Sequence, residues 1–266
     1  MASAPDGRGS CLVCGKESTL RCSACASKGG IDLFFCSKEH QKLIWPYHRL
    51  VCGERSHPFK LPPFSKEEAE IACTRATEVP ESAKDAEHQD RLQRLLEIEE
   101  YSREELKARL DTLIGIEIPM TDHRYPPDSL KTSSLVAYTI RMTGSLWSSS
   151  VPSKSPELAF VETFGGFYFD LRHSTTIADD SLWYSEYCHR VAAQLALGLI
   201  VTSIEDRGGT PDDTILKARE DNLIAIRHFS ETATDPKFAN FAAAVFRSAD
   251  GSLGVLRKMY GTRTVS

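Results

Sequence analysis

Four pairs of candidate zinc ligands fall between residues 11 and 52: Cys11-x2-Cys14, Cys22-x2-Cys25, Cys36-x3-His40 and His48-x3-Cys52. Six of the eight cysteines lie in that stretch, less than a fifth of a 266-residue chain, so composition alone does not explain the clustering. A Cys-x2-Cys pair lets two sulfurs reach one metal from a tight turn, and two ligands four residues apart share a helical face. Zinc takes four N or S ligands at tetrahedral corners, so eight ligands make two closed sites with no open position for a water. Consecutive pairing gives one site of four cysteines and one of two cysteines and two histidines. Alternating pairing gives Cys11/Cys14/Cys36/His40 and Cys22/Cys25/His48/Cys52. Spacing leaves both open.

A segment this short buries too little surface to fold on apolar contacts alone. Metal must supply most of its folding free energy, about 10–16 kcal/mol per structural site. The formal net charge is −5 and is unevenly placed. Residues 1–56 carry eight Lys/Arg against five Asp/Glu, so the acidity lies beyond them. Two zinc ions held by six thiolates bring the first segment near neutrality, which argues against a polyanion as its partner. The first ten residues lack the apolar core of a signal peptide and read as a disordered lead. Val191 to Val201, interrupted by Gln194, is far short of the ~20 residues that span a bilayer. No membrane association is expected, and thiolate zinc suits a reducing compartment, the cytosol or the nucleus.

Residues 53–64 form a proline-rich joint, with Pro58, Pro62 and Pro63 stiffening the exit from the cluster. The remainder, 65–266, reads as an α-rich domain. Ser65 with Glu68, and Ser102 with Glu105, are capping boxes. The first opens a helix through Ile71 to Thr74. After the second, Leu106, Leu110, Leu113 and Ile114 continue an apolar stripe that ends at Gly115. Thr77 to Glu87 reads as a loop. Val136, Tyr138, Ile140 and Met142 alternate with Ala137, Thr139, Arg141 and Thr143, which predicts a half-buried strand. Aromatic and β-branched residues on both sides of Gly165-Gly166 predict a hairpin, so a small antiparallel sheet is expected over about 134–172. Glu186 to Ser203 predicts a buried helix, Asp212 or Asp213 caps the next, and Pro236 opens a last one with Phe238, Phe241, Ala242, Val245 and Phe246 on one face. The fold class is therefore α+β and α-rich: a small two-zinc finger, then a mostly helical domain with a small sheet.

The stretch Phe35-Cys36-Ser37-Lys38-Glu39-His40-Gln41-Lys42-Leu43-Ile44-Trp45-Pro46-Tyr47-His48-Arg49-Leu50-Val51-Cys52 resembles the second half of a MYND-type zinc finger, and the two upstream Cys-x2-Cys pairs complete that pattern. His40 departs from it, standing where the family more often has Cys. The resemblance covers about residues 11–52. It implies the alternating, cross-braced pairing, and a protein-interaction module that docks short proline-rich peptides. It also implies that Ser23, Gln41 and Trp45 line the peptide groove, where an aromatic face would stack on preordered proline rings. A further expectation concerns Pro58-Phe59-Lys60-Leu61-Pro62-Pro63, itself proline-rich and tethered beside the finger. At the millimolar effective concentration of a short tether it would compete for that groove.

Some proteins join such a finger to a SET methyltransferase domain, but the Asn-His-x-Cys-like and Glu-Leu-x-Tyr-Asp-Tyr-like stretches of that domain are missing. Leu171-Arg172-His173-Ser174 is only a superficial echo. No Gly-x-Ser-x-Gly, phosphate-binding loop or dinucleotide fingerprint is present. Asp170, His173 and Ser174 read as the exposed end of a strand. Cys188 and His189 point apart on a helix, and Cys188 and Cys73 read as buried thiols. Nucleic-acid binding is disfavoured by the acidic remainder and the lack of a recognition helix. The sequence thus reads as a zinc-binding adaptor without catalytic residues, its partners the proline-rich segments of other proteins. Its oligomeric state is left open.

Overall fold

The computed structural model describes residues 7–79, 83–96, 102–118, 129–144, 155–173 and 175–247. Contacts divide the chain into two compact units, one formed by residues 1–60 with 167–266 and the other by residues 61–166.

The first unit begins with a two-stranded antiparallel ribbon, β1 (Gly9–Ser10) and β2 (Glu17–Ser18). A five-residue π-helical turn, Cys25–Gly29, follows, and then helix α1 (Lys38–His48). Ser37 caps α1 by accepting a hydrogen bond from the His40 amide at 3.2 Å. Two short 3-10 turns, Arg49–Val51 and Gly53–Arg55, carry the chain out of the finger. Three helices from the C-terminal part complete this unit: α7 (Leu182–Glu205), α8 (Asp213–Ser230) and α9 (Pro236–Arg247). α7 packs against both α1 and α8, and α8 against α9. It is buried on nearly every face from Tyr184 to Val201, as a helix apolar all round must be. By length and composition α7 alone qualifies as a membrane span among the described residues, and burial inside the protein accounts for its apolarity.

An aromatic cluster locks these helices together. Trp183 stacks on Tyr187 and on Phe229, with centroids 5.4 and 5.3 Å apart, and Phe238 meets both Trp183 and Tyr187 edge-on at 4.9 Å. The Arg190 guanidinium also lies against the Phe229 ring, 4.7 Å from its centroid. Asp212, one of the two caps expected for α8, accepts from the Ile215 amide, and Asp235 caps α9 by accepting from the amides of Lys237 and Phe238. Phe238 and Ala242 are buried on the α9 face expected for them, whereas the side chains of Val245 and Phe246 lie outside the described residues.

The second unit holds α2 (Lys66–Thr77), α3 (Ala83–Leu96), α4 (Arg103–Asp111), α5 (Ser129–Gly144) and the start of α6 (Pro156–His173). The Ser65–Glu68 capping box opens α2 as expected, with both reciprocal hydrogen bonds made. Ser102 caps α4 through the Glu105 amide, and Leu106, Leu110 and Leu113 are buried on one side. α3 occupies part of the stretch read as a loop, 77–87, from Ala83 onward.

Residues 134–172 do not form the expected sheet: the described part of this stretch is α5 and α6. Among the described residues the only paired strands are β1 and β2, in the finger. The alternation in α5 misled because its polar half is also inside. Ala137, Thr139 and Arg141 are as buried as Val136 and Ile140. Arg141 reaches Glu68 with two hydrogen bonds of 2.7 and 2.8 Å and donates a third to the Pro62 carbonyl. A second buried pair joins Arg75 to Glu162 at 2.9 Å. Gly165-Gly166 turns no hairpin, and α6 runs straight through it. A Cβ on Gly165 would stand 3.2 and 3.3 Å from Cγ and Cδ of Arg141, so the glycine serves close packing of α5 on α6. Asp170 and His173 lie in α6 with side chains outside the described residues, as is Ser174 altogether. Cys73 and Cys188 are buried thiols, and burial pushes both pKa values up.

Candidate metal centre

The ribbon β1–β2 carries the first knuckle. Cys11 follows β1, its amide bonded to the Lys16 carbonyl, and the turn closes through Gly15 at φ 72°. Cys22 and Cys25 form the second knuckle, entering the π-helical turn that ends at Gly30 with φ 69°. The segment Leu33–Phe35 stitches the two together. The Phe34 carbonyl accepts from the Leu12 amide, Leu33 from Cys22, and the Phe35 amide donates to Leu20. That stitch delivers Cys36 to the first knuckle.

Helix α1 then supplies one ligand to each site. His40 and His48 are eight residues apart, about 12 Å along the axis at 1.5 Å per residue, too far to share a metal. Cys36, just before α1, stays with His40, and Cys52, after the 3-10 turn, stays with His48. Two clusters result, Cys11/Cys14/Cys36/His40 and Cys22/Cys25/His48/Cys52, each with ligand atoms within 4.8 Å of one another. In the first, Cys14 and Cys36 Sγ are 3.5 Å apart, and His40 Nδ1 lies 3.2 Å from Cys36 Sγ and 3.7 Å from Cys11 Sγ. In the second, Cys52 Sγ lies 3.6 Å from Cys22 and 3.5 Å from Cys25, with His48 Nε2 3.5 Å from Cys25.

Zinc–sulfur bonds of ~2.3 Å at a tetrahedral angle put sulfurs ~3.7–3.8 Å apart, so both clusters fit tetrahedral zinc closely. Electrostatics favours a cation. Burial works against a charge on His48, yet the Cys22 and Cys25 sulfurs raise its pKa to about 9. Burial and the neighbouring Cys14 and Cys11 push Cys36 up to about 12. A divalent metal relieves both conflicts by taking the place of the protons. The alternating pairing, which spacing left open, is the one the fold makes.

Two C-terminal helices brace the finger, through residues whose contact with it left no signal in the sequence. From α7, His189 donates its Nε2 hydrogen to the Ser56 carbonyl at 3.0 Å and meets the His48 ring edge-on at 5.8 Å. Burial, reinforced by His48, drives the His189 pKa down to about 3, so it acts as a neutral donor. Ser185 accepts from the Phe59 amide at 3.1 Å and lies 2.9 Å from His57 Nδ1. From α8, the fully buried Asn222 donates to the Leu12 carbonyl at 2.8 Å. These contacts join residues more than a hundred positions apart, so no local pattern could mark them.

The three residues expected at a peptide groove are placed as follows. Ser23 is exposed on the second knuckle. Gln41 is half-buried on α1, and Trp45, one turn on, is 43% exposed. Trp45 lies beside His48, their ring centroids 6.0 Å apart, so Ser23 and Trp45 both border the second metal site. The tethered segment is held elsewhere. Phe59 is buried between His189 and Tyr168, with centroids 4.9 and 6.0 Å away, and acts as a strut instead of covering Trp45.

A pair of closed, cross-braced Cys3His sites on a 42-residue frame defines a structural zinc-binding finger. Residues 11–52 match the family profile of the MYND finger, and this segment is one. Human Egl nine homolog 1 is 51% identical over 43 residues, and the mouse protein of the same name 49% over 43. Those matches cover 16% of this chain and only 9% and 10% of the two relatives, within the same finger segment. No solved structure matches the chain. MYND fingers are non-catalytic protein-interaction modules.

Proposed function

We propose that this protein is a zinc-dependent adaptor whose finger docks short proline-rich segments of partner proteins on a face formed by Ser23, Gln41 and Trp45. The exposure of Trp45 carries this reading. Phe34, Phe35 and Tyr47, the other aromatic residues of the finger, are buried, while Trp45 keeps 43% of its surface open. An indole held rigid on a metal-fixed helix suits the flat faces of a proline helix, whose low entropy makes a small contact area sufficient. Gln41, one turn earlier, adds a side-chain amide able to hydrogen-bond the peptide backbone. The metals act only as fasteners. Function lies on the surface they hold, in a reducing compartment such as the cytosol or nucleus where the thiolates persist.

The test is a proline-rich peptide array probed with the full-length protein and with Trp45→Ala. Loss of at least about tenfold in capture, with zinc content and helicity unchanged, supports the adaptor reading, since truncating a central aromatic anchor removes about 1.4 kcal/mol or more. Equal capture by both proteins would sink it.

A further inference from the structure

One peptide group in the first zinc site is held from both ends. Its N–H, on Val13, points at the Cys11 sulfur, 3.4 Å away. Its C=O, on Leu12, accepts the Asn222 side-chain hydrogen at 2.8 Å. The Leu12 amide on the other side is fixed to the Phe34 carbonyl at 2.7 Å. A continuous path therefore runs from the Asn222 amide through the Leu12–Val13 peptide to the thiolate of Cys11. Hydrogen bonds in such a chain polarise one another, and the site is dry: Leu12, Val13 and Asn222 are all at most 2% exposed. The facing carbonyl dictates which end of the Asn222 amide turns inward, because only its nitrogen carries hydrogens.

The backbone around this contact is shaped to admit α8. A Cβ on Gly15, at the end of the knuckle, would stand 2.9 Å from the Ala225 Cβ. Ala225 lies three residues beyond Asn222 and so on the same face of α8. A glycine in the finger and an alanine on the helix together allow the approach that the Asn222 hydrogen bond needs.

We propose that Asn222 is a positioning residue for the first zinc site, orienting the Leu12–Val13 peptide so that its N–H supports the Cys11 thiolate. Partners outside the ligand set fix ligand orientation, and their loss lowers metal retention by 10- to 100-fold. Among the described residues the second site is braced from α7 instead, through His189.

The experiment loads the full-length protein with NMR-active cadmium, which gives one resonance per site, and follows each during removal by a chelator. Two variants separate hydrogen bonding from packing: Asn222→Ala, and Asn222→Leu, which keeps most of the volume. Both should release first-site metal about tenfold faster and shift that resonance, while the second site keeps its wild-type rate. Wild-type release from the first site in Asn222→Leu overturns the proposal, as does equal acceleration of both sites, which is general loosening. Should neither variant fold, the wild-type protein decides. Scalar coupling from first-site cadmium to the Val13 amide proton supports the relay, and no coupling overturns it.

Discussion

Single side chains decide more here than their number suggests. Asp235 gathers five hydrogen bonds, from Thr175, from the Thr176 amide and hydroxyl, and from the amides of Lys237 and Phe238. The Thr176 hydroxyl leads in holding its carboxyl well below the usual carboxylate range. A carboxylate whose folded pKa is depressed contributes stability above its unfolded value of ~3.9, and that contribution fades as pH falls toward the folded value. Asp235→Ala should therefore destabilise the protein by about 1–2 kcal/mol at neutral pH, and the gap from wild type should narrow below about pH 4. Thermal melts of both proteins across pH 3 to 7 check this, and a gap that is constant or widens in acid would contradict it. Asp235 was not marked in the sequence, where Pro236 drew attention as the helix opener while the residue before it does the capping.

At the scale of elements, helices were legible where an end signal accompanied the stripe. Ser65 and Ser102 cap where their sequence spacing placed them, and of Asp212 and Asp213 it is Asp212 that caps α8. The strand of 134–143 failed because it rested on apolar alternation alone, and the hairpin because Gly165-Gly166 was read as a turn. Short apolar runs fit a buried helix as well as a strand, and Arg141, counted as solvent-facing, is buried by its partner Glu68. Gly165 shows that a glycine can mark a close approach instead of a turn. Gly29 makes the same point in the finger. A Cβ there would fall 1.9 Å from the Ser56 hydroxyl oxygen and 2.6 Å from the Gly53 carbonyl, where the π-helical turn meets the 3-10 turn. Gly29→Ala is expected to cost about 1–3 kcal/mol by overpacking and to loosen the second site specifically. Circular dichroism melts and per-site metal release test it, and a variant as stable as wild type would show that the seam can yield.

For the whole molecule, the eight metal ligands and their family resemblance were fully legible, since ligand chemistry leaves a dense local record. What stayed hidden is that the finger shares a compact unit with α7, α8 and α9, joined by hydrogen bonds between distant residues. Metal binding should accordingly be felt beyond the finger. Because His48 binds a proton up to about 9 and Cys36 up to about 12, zinc must displace both, and apparent affinity should rise as pH increases from 6 to 8. Each displaced proton corresponds to about tenfold per pH unit, so each site should gain at least that much. Competition with a chromophoric chelator measures this, and mass spectrometry should return two zinc ions per chain. A pH-independent affinity, or a single ion, would break the metal assignment.

The hydrogen bond from Asn222 to Leu12 spans 210 positions, and that distance is also an interval of time. At 5–20 residues per second, a ribosome that has made the first knuckle needs roughly 10–40 s more to reach α8. A finger that takes up metal during synthesis must hold it without the brace that later secures it. Its eight ligands and its own stitch through Leu33–Phe35 have to suffice until then. For such a finger the C-terminal helices come afterwards, as a latch.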